Sequence, residues 1–416
     1  MSSATTTQQQ SIFFEPAWNI GMELVRDALW DNSTQQCTWL GHSMEAVEGK
    51  FASVVRSFSN DLYSGSSGIA LFLSALYSVK QDPLLLKTIT GAINHTLSLL
   101  DESPRLGFYS GKPGIAATLM YCGKILDQQE WIDKGLSILA SLKGLNSTEA
   151  ETDIISGVAG VIPLLIDAAQ QYAKPGLIDI AKEIGDQLYE RATRTQSGWS
   201  WLTIGGTNHL TGYSHGTAGI ATGLLQLYTV TQNEKYLEAA QGGFQYELTH
   251  FNHAKQNWPD FREHFPKGED GGYVCGNAWC HGAPGIALSR LQATKLKPDA
   301  EYTRVAAIAL DTTLRELNTM LSTPAYRGNY SLCHGIAGNA DILLESGRPQ
   351  DKAAAITTGM AGIENYDKPR LPWPSGTQDN KKTPGLMMGT AGTGYFYLRL
   401  FDQQKFGTIL LPGLMK

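Results

Sequence analysis

The sequence predicts an all-α fold built from seven helical hairpins, and three observations carry that reading. A phrase of Gly-x-x-Gly followed by an apolar run occurs seven times, beginning at Gly65, Gly111, Gly157, Gly216, Gly282, Gly335 and Gly389. Each phrase opens a segment apolar on most faces, and these segments alternate with more charged, amphipathic ones. No stretch carries a strong strand or hairpin signal, and only residues 202–209 have enough of one to pair briefly. Self-similarity of this kind marks a repeat architecture in which each unit buries its apolar face against its neighbours.

Taken in order, residues 1–10 are rich in Ser, Thr and Gln and read as a disordered lead-in, without the basic and apolar regions of a signal peptide. Residues 11–416 read as one domain. The first amphipathic helix falls at 14–30, and the others at 83–100, 130–142, 177–192, 234–248, 299–321 and 351–363. In the sixth of these, Leu310, Leu314, Leu317 and Leu321 recur at helical spacing. The seven apolar helices are placed at 69–79, 115–126, 161–169, 220–228, 286–291, 340–344 and 395–401. A helix apolar nearly all round is buried nearly all round. Such hairpins can stack as an open solenoid or close into a ring. The phrases are spaced by 46, 46, 59, 66, 53 and 54 residues, so insertions fall mid-chain. The polar insert at 251–277 is a long loop of the kind that usually serves function.

Composition narrows the function. With a net charge of −6, a nucleic-acid partner or an anionic membrane surface is disfavoured, and no apolar run reaches the length of a membrane span. Five cysteines, an odd number, read as reduced thiols of a cytoplasmic protein. No P-loop, dinucleotide fingerprint or nucleophile elbow is present.

Three phrases carry chemistry: Ser214-His215-Gly216, Cys280-His281-Gly282 and Cys333-His334-Gly335. Cys280 and Cys333 occupy the same place in adjacent repeats, so a ring would bring them together. With an imidazole they form a zinc ligand set of the catalytic type, three protein ligands and an open position. Spacing does not choose between His281 and His334 as that imidazole. Using both would close the site and make it structural. His215 holds the equivalent place one repeat earlier and suits a general acid or base. Asp153, ahead of the third phrase, can orient an imidazole, join in proton transfer or simply cap its loop. The other histidines, His42, His95, His209, His250, His253 and His264, fit no metal spacing, and 263–270 reads as a solvated loop.

With these residues assembled, the chain resembles the lanthionine synthetase C-like family, the lanthipeptide cyclases, from about Trp18 to Phe401. The resemblance rests on Ser214-His215-Gly216-Thr217-Ala218-Gly219, Ala278-Trp279-Cys280-His281-Gly282-Ala283-Pro284-Gly285 and Leu332-Cys333-His334-Gly335-Ile336-Ala337-Gly338-Asn339. Leu62-Tyr63-Ser64-Gly65 and Trp258-Pro259-Asp260 are most similar to the cyclase half of two-domain class II synthetases. The resemblance implies an α/α toroid of seven inner and seven outer helices. It implies Zn2+ on Cys280, Cys333 and His334, His215 as acid/base with Asp153 as partner or base, and Trp279 bordering the mouth, with His281 outside the ligand set but available to a substrate. The implied reaction is intramolecular Michael addition of peptide cysteine thiols to dehydroalanine or dehydrobutyrine. The implied partners are a dehydrated precursor peptide and a separate dehydratase. Glutathione addition to dehydroamino acids, or a zinc-stabilised peptide-binding toroid without catalysis, are the alternatives. A toroidal glycosidase would need paired acids at the mouth, and the Cys-His-Gly pair fits a prenyltransferase poorly.

Overall fold

The computed structural model describes residues 2–47, 50–145, 151–204, 206–263, 267–268, 271–323, 328–377 and 381–415. Outer helices α1 (Ser2–Asp27), α3 (Pro83–Ser98), α5 (Gln129–Ala140), α7 (Gly176–Arg191), α9 (Glu234–Thr249), α11 (Ala300–Ser322) and α13 (Pro349–Gly362) alternate with inner helices. The inner helices are α2 (Ser66–Tyr77), α4 (Lys112–Leu126), α6 (Val161–Gln171), α8 (Thr217–Thr231), α10 (Ala283–Leu296), α12 (Ile336–Leu344) and α14 (Thr390–Phe401). Each inner helix packs on the next, and α14 packs back on α2, so the hairpins close into a ring. Each outer helix lies against the inner helix before it, and α1 against α14, so the first and last helices seal the joint. The fold is an α/α toroid.

The two layers form for different reasons. In α2 every residue from Ser66 to Leu76 is buried, whereas α5 buries only the stripe Trp131, Ile132, Gly135, Ile138 and Leu139. Several outer helices start on side-chain caps: Asp82 accepts from Leu84 N–H, Asn233 from Lys235 N–H and Asp299 from Glu301 N–H. Six of the inner helices start on the first glycine of the phrase, with no side-chain cap from that residue, and α6 starts on the second, Gly160, after a 3-10 turn.

The glycines serve close approach more than unusual backbone angles. A Cβ on the second glycine of every phrase would strike the carbonyl of the residue six before it, as at Gly219 against Tyr213 and Gly338 against Leu332. Only Gly282 among the first glycines is left-handed, at φ +92°, and its Cβ would also collide with the Gly276 carbonyl. Gly282→Ala is therefore expected to lose roughly 2–5 kcal/mol of stability, from strain and overpacking together. A urea midpoint equal to wild type would refute this.

Three departures from the sequence reading stand out. Three antiparallel hairpins occur: β1 (Leu29–Asp31) with β2 (Gln36–Thr38), β3 (Leu40–Val47) with β4 (Lys50–Ser57), and β5 (Thr193–Thr195) with β6 (Gly198–Ser200). No described residue of 202–209 lies in a strand. Pairing occurs just before, where Gly198 at φ +113° lets the chain reverse between Thr195 and Gly198. Helix α1 extends back to Ser2 across the expected disordered lead-in, since prolonging a formed helix costs far less than starting one. His264 and much of 263–270 lie outside the described residues.

Beyond α14 the chain folds back over the end of the ring away from the glycine loops. Lys405 Nζ donates to Ser78 O at the end of α2, Gln403 Nε2 to Leu344 O at the end of α12, and Leu414 N to Asp167 of α6. From there Ile409 and Leu410 reach inward. Their carbonyls accept the Tyr109 hydroxyl at 2.7 Å and the Trp279 indole N–H at 3.0 Å. Arg399, also buried, pairs with Asp341 at 2.6 Å and Glu345 at 2.9 Å and so ties α14 to α12.

Candidate metal centre and proton-transfer pair

The residues two before each first glycine meet around the mouth of the ring. Tyr63 N donates to Tyr109 O, Tyr109 N to Ile155 O, and Ile155 N to Ser214 O. Cys333 N donates to Met387 O, and Met387 N to Tyr63 O. Between Ser214 and Cys280 the Ser214 hydroxyl donates to the Cys280 carbonyl at 3.2 Å. Among the described residues no backbone hydrogen bond joins Cys280 to Cys333. At that joint the two thiols face each other instead.

Cys280 Sγ, Cys333 Sγ and one His334 ring nitrogen lie within 4.8 Å of one another. Cys333 is the most buried of the three and His334 the most open. His334 Nε2 sits 2.8 Å from the Gly376 carbonyl. A carbonyl only accepts, so Nε2 carries the proton and Nδ1 is the nitrogen left with a lone pair to ligate. Two thiols, plus an imidazole whose outer nitrogen is fixed by a backbone carbonyl, match the donors and the supporting shell of a zinc site. The thiols are already unequal. Cys333 hydrogen bonds to Cys280, which holds the Cys280 thiol below its usual range against its burial, with smaller help from the Arg262 charge. The same hydrogen bond, and then burial, push Cys333 up. The Tyr63 hydroxyl also hydrogen bonds to Cys333. Sequence reasoning missed Tyr63, although its place two before Gly65 is the place the cysteines hold in their own phrases.

His215 and Asp153 meet as a pair. Asp153 Oδ2 lies 2.6 Å from His215 Nδ1, with the carboxylate fully buried. Its other oxygen accepts from Ser156 N at 2.7 Å and Gly157 N at 2.8 Å. One carboxylate oxygen of Asp153 thus caps its own loop and the other contacts the His215 imidazole. Asp61 caps the first loop in the same way, accepting from Ser64 N at 2.7 Å, but grips no histidine. The His215 loop is fixed from behind by Glu247, whose Oε1 accepts from Gly212 N at 3.1 Å and Ala218 N at 2.8 Å. Burial, opposed by Arg290 and these amides, pushes Glu247 up to about 8. In the unfolded chain it titrates near 4.5, so folding takes up a proton between about pH 4.5 and 8. Stability from this group is complete below the unfolded value and is lost as pH rises through the folded one. Glu247→Gln is expected to flatten that decline in chemical-denaturation curves taken from pH 5 to 9.

Two expected substrate contacts are covered. Trp279 is fully buried, spends its N–H on Leu410 O and packs on Tyr109 and Tyr213, so it belongs to the wall of the ring and not to its mouth. His281 is 3% exposed because Asp260 of the 251–277 insert lies over it, 3.8 Å from Nδ1. Burial, then the Arg262 charge, push its imidazole down to about 3. His281 lies outside the three-residue cluster. None of the five cysteines is in a disulfide, and no described helix is long and apolar enough to cross a membrane.

The closed α/α toroid thus carries a Cys-Cys-His cluster and a His-Asp pair on the loops of its mouth. Residues 56–411 match the family model of lanthionine synthetase C-like proteins. The chain belongs to that family. It is 27% identical over 374 residues to the lacticin 481/lactococcin biosynthesis protein LcnDR2 of Lactococcus lactis subsp. lactis, covering 86% of this chain but only 37% of that longer relative. It is 24% identical to the glutathione S-transferase LANCL1 of Danio rerio, over 72% of this chain and 75% of that one. With the nisin biosynthesis protein NisC of Lactococcus lactis subsp. lactis it shares 25% identity, over 68% and 72% of the two chains. Among solved structures, nisin cyclase superposes with a TM-score of 0.63 at 18% identity, covering 83% of this chain and 89% of that one, which fixes the shared fold.

Proposed function

We propose that this protein is a zinc-dependent lanthipeptide cyclase, closing thioether rings in a dehydrated ribosomal precursor peptide in the cytoplasm. The observation that carries the reading is the cluster of Cys280, Cys333 and His334 at one mouth with the His215–Asp153 pair. The names of the bacterial relatives, which concern lacticin 481 and nisin biosynthesis, support it. Zinc on Cys280 Sγ, Cys333 Sγ and His334 Nδ1 would leave a position open and favour the thiolate form of a peptide cysteine there. The thiolate sulfur forms a bond to the β-carbon of a dehydroamino acid in the same peptide, and the π electrons move onto the amide carbonyl. His215 delivers a proton to the α-carbon from Nε2, and Asp153 stabilises its imidazolium through Nδ1–H. The net change is addition of S–H across C=C. Because dehydration precedes this chemistry, a dehydratase acting upstream is the partner the reading requires.

The test is to incubate the zinc-loaded protein with dehydrated precursor and count free thiols by alkylation and mass spectrometry. Thiols lost without change of mass support ring closure, and thiols that persist overturn it. A second reading rests on the likeness to LANCL1, named a glutathione S-transferase. Supplied with glutathione, that activity would add glutathione to the dehydrated peptide and raise its mass.

A further inference from the structure

Four residues after the first glycine of each phrase, about one turn into the inner helix, stands a buried side chain. In the first five repeats it is apolar: Ile69, Ile115, Val161, Ile220 and Ile286, each 1% exposed or less. In the last two it is polar and just as deep, since Asn339 and Thr393 are each 1% exposed. Both reach back to the preceding repeat in the same register. Asn339 Nδ2 donates to Asn277 O at 2.8 Å, and Thr393 Oγ1 donates to Tyr330 O at 3.0 Å. Asn277 lies three residues before Cys280, and Tyr330 lies three before Cys333. The two loops that receive a buried donor from this place on the next inner helix are thus the two that carry the Cys280, Cys333 and His334 cluster.

Stability alone does not call for this polarity. Burying an amide costs free energy unless its polar atoms are paired, and Asn339 Oδ1 has no hydrogen-bond partner among the described residues. An aliphatic side chain, as in the first five repeats, fills the same place without that cost. What the amide adds is a link between the fifth loop and the sixth repeat. It lies at the joint where, among the described residues, no backbone hydrogen bond joins Cys280 to Cys333. The spacing of the two sulfurs before an ion arrives depends on how that loop is held. At the next joint Cys333 N already donates to Met387 O, so the Thr393 brace is the less critical of the two. Groups that hold metal ligands in place from behind are worth about 10–100-fold in metal affinity. We infer that Asn339 and Thr393 are positioning residues for the metal: they brace the fifth and sixth loops so that Cys280, Cys333 and His334 stand ready before zinc binds. The inference rests on the zinc reading above.

The test uses the pair Asn339→Thr and Asn339→Val, which share one shape and differ by a hydroxyl. Zinc Kd is measured by competition with a chromophoric chelator, and urea denaturation is followed on the zinc-free proteins. In Asn339→Val zinc is expected to bind about 10–100-fold more weakly than in wild type. Asn339→Thr, which keeps a donor of the kind Thr393 uses, is expected to fall between the two. The zinc-free urea midpoints of the two variants are expected to lie close together, so that metal affinity and stability part ways. Equal zinc Kd in the Thr and Val variants overturns the inference. So does a loss of zinc affinity matched by a loss of zinc-free stability, since the side chain would then only pack the core. If Asn339→Val does not fold, Thr393→Val decides by the same two measurements, with a smaller rise in Kd expected and an unchanged Kd overturning the inference. A wild-type protein that binds no zinc overturns the zinc reading itself, and this inference with it.

Discussion

Cys333→Ala is expected to abolish metal retention and to slow thiol consumption by roughly 10³-fold or more, because metal-supplied stabilisation is worth several kcal/mol and each 1.4 kcal/mol or so is a factor of ten. Two effects combine. The substitution removes one of only three protein donors in the cluster. It also removes the hydrogen bond that holds the Cys280 thiol below its usual range. The fold is expected to survive. Cys333 contributes one small buried side chain, and its backbone N–H to Met387 does not depend on the sulfur. Zinc stoichiometry near one in wild type and near zero in the variant, at matched far-UV circular dichroism, is the expected result. Full zinc content in a folded Cys333→Ala protein would disprove the ligand assignment.

Substitutions in the proton-transfer pair should spare the metal and take the rate. His215→Ala is expected to lower kcat by about 10²–10⁴-fold, the usual worth of a positioned acid or base. Asp153→Asn is the sharper experiment because the two carboxylate oxygens do different things. The Asn oxygen can still accept from Ser156 and Gly157 N–H and keep the loop. Its NH2 group would then face His215 Nδ1, where Asp153 Oδ2 now accepts at 2.6 Å. A donor there turns Nδ1 into an acceptor and gives an imidazolium no partner. The expected outcome is a rate loss approaching that of His215→Ala, with zinc content and thermal stability close to wild type. If instead Asp153→Asn unfolds while retaining its activity per folded molecule, the carboxylate serves the loop alone.

The register of the glycine phrase made most of the ring legible in sequence. Residues three before the first glycine are Leu62, Phe108, Ile154, Tyr213, Trp279, Leu332 and Leu386, all buried apolar groups. Read that way, Trp279 could have been assigned to the wall from sequence; it was the family resemblance that placed it at the mouth. Residues one before the glycine, such as Ser64, Ser110, Ser156, His215 and His334, are partly exposed. His281 breaks the rule because the insert covers it. That exception was not legible, since nothing in a polar loop of irregular spacing says where it folds. For the same reason Arg262 and Asp260 could not be placed. The β3–β4 hairpin was missed because its alternation is weak. The Glu-Gly pair at 48–49 in the sequence was the available signal.

The row of hydrogen bonds around the mouth has one further meaning. Six of its seven joints are closed by polypeptide groups, which cannot be removed without changing the sequence or unfolding the loop. The seventh, between Cys280 and Cys333, is left to sulfur. An ion held there would make the rim a hoop with a single clasp. The part of the molecule that exchanges ligands with a substrate would also be the part that fixes the hoop's circumference. Gly282, the one left-handed glycine at the head of an inner helix, lies two residues from that clasp. The fifth loop gives up the regular path of the other six to bring its thiol across the gap.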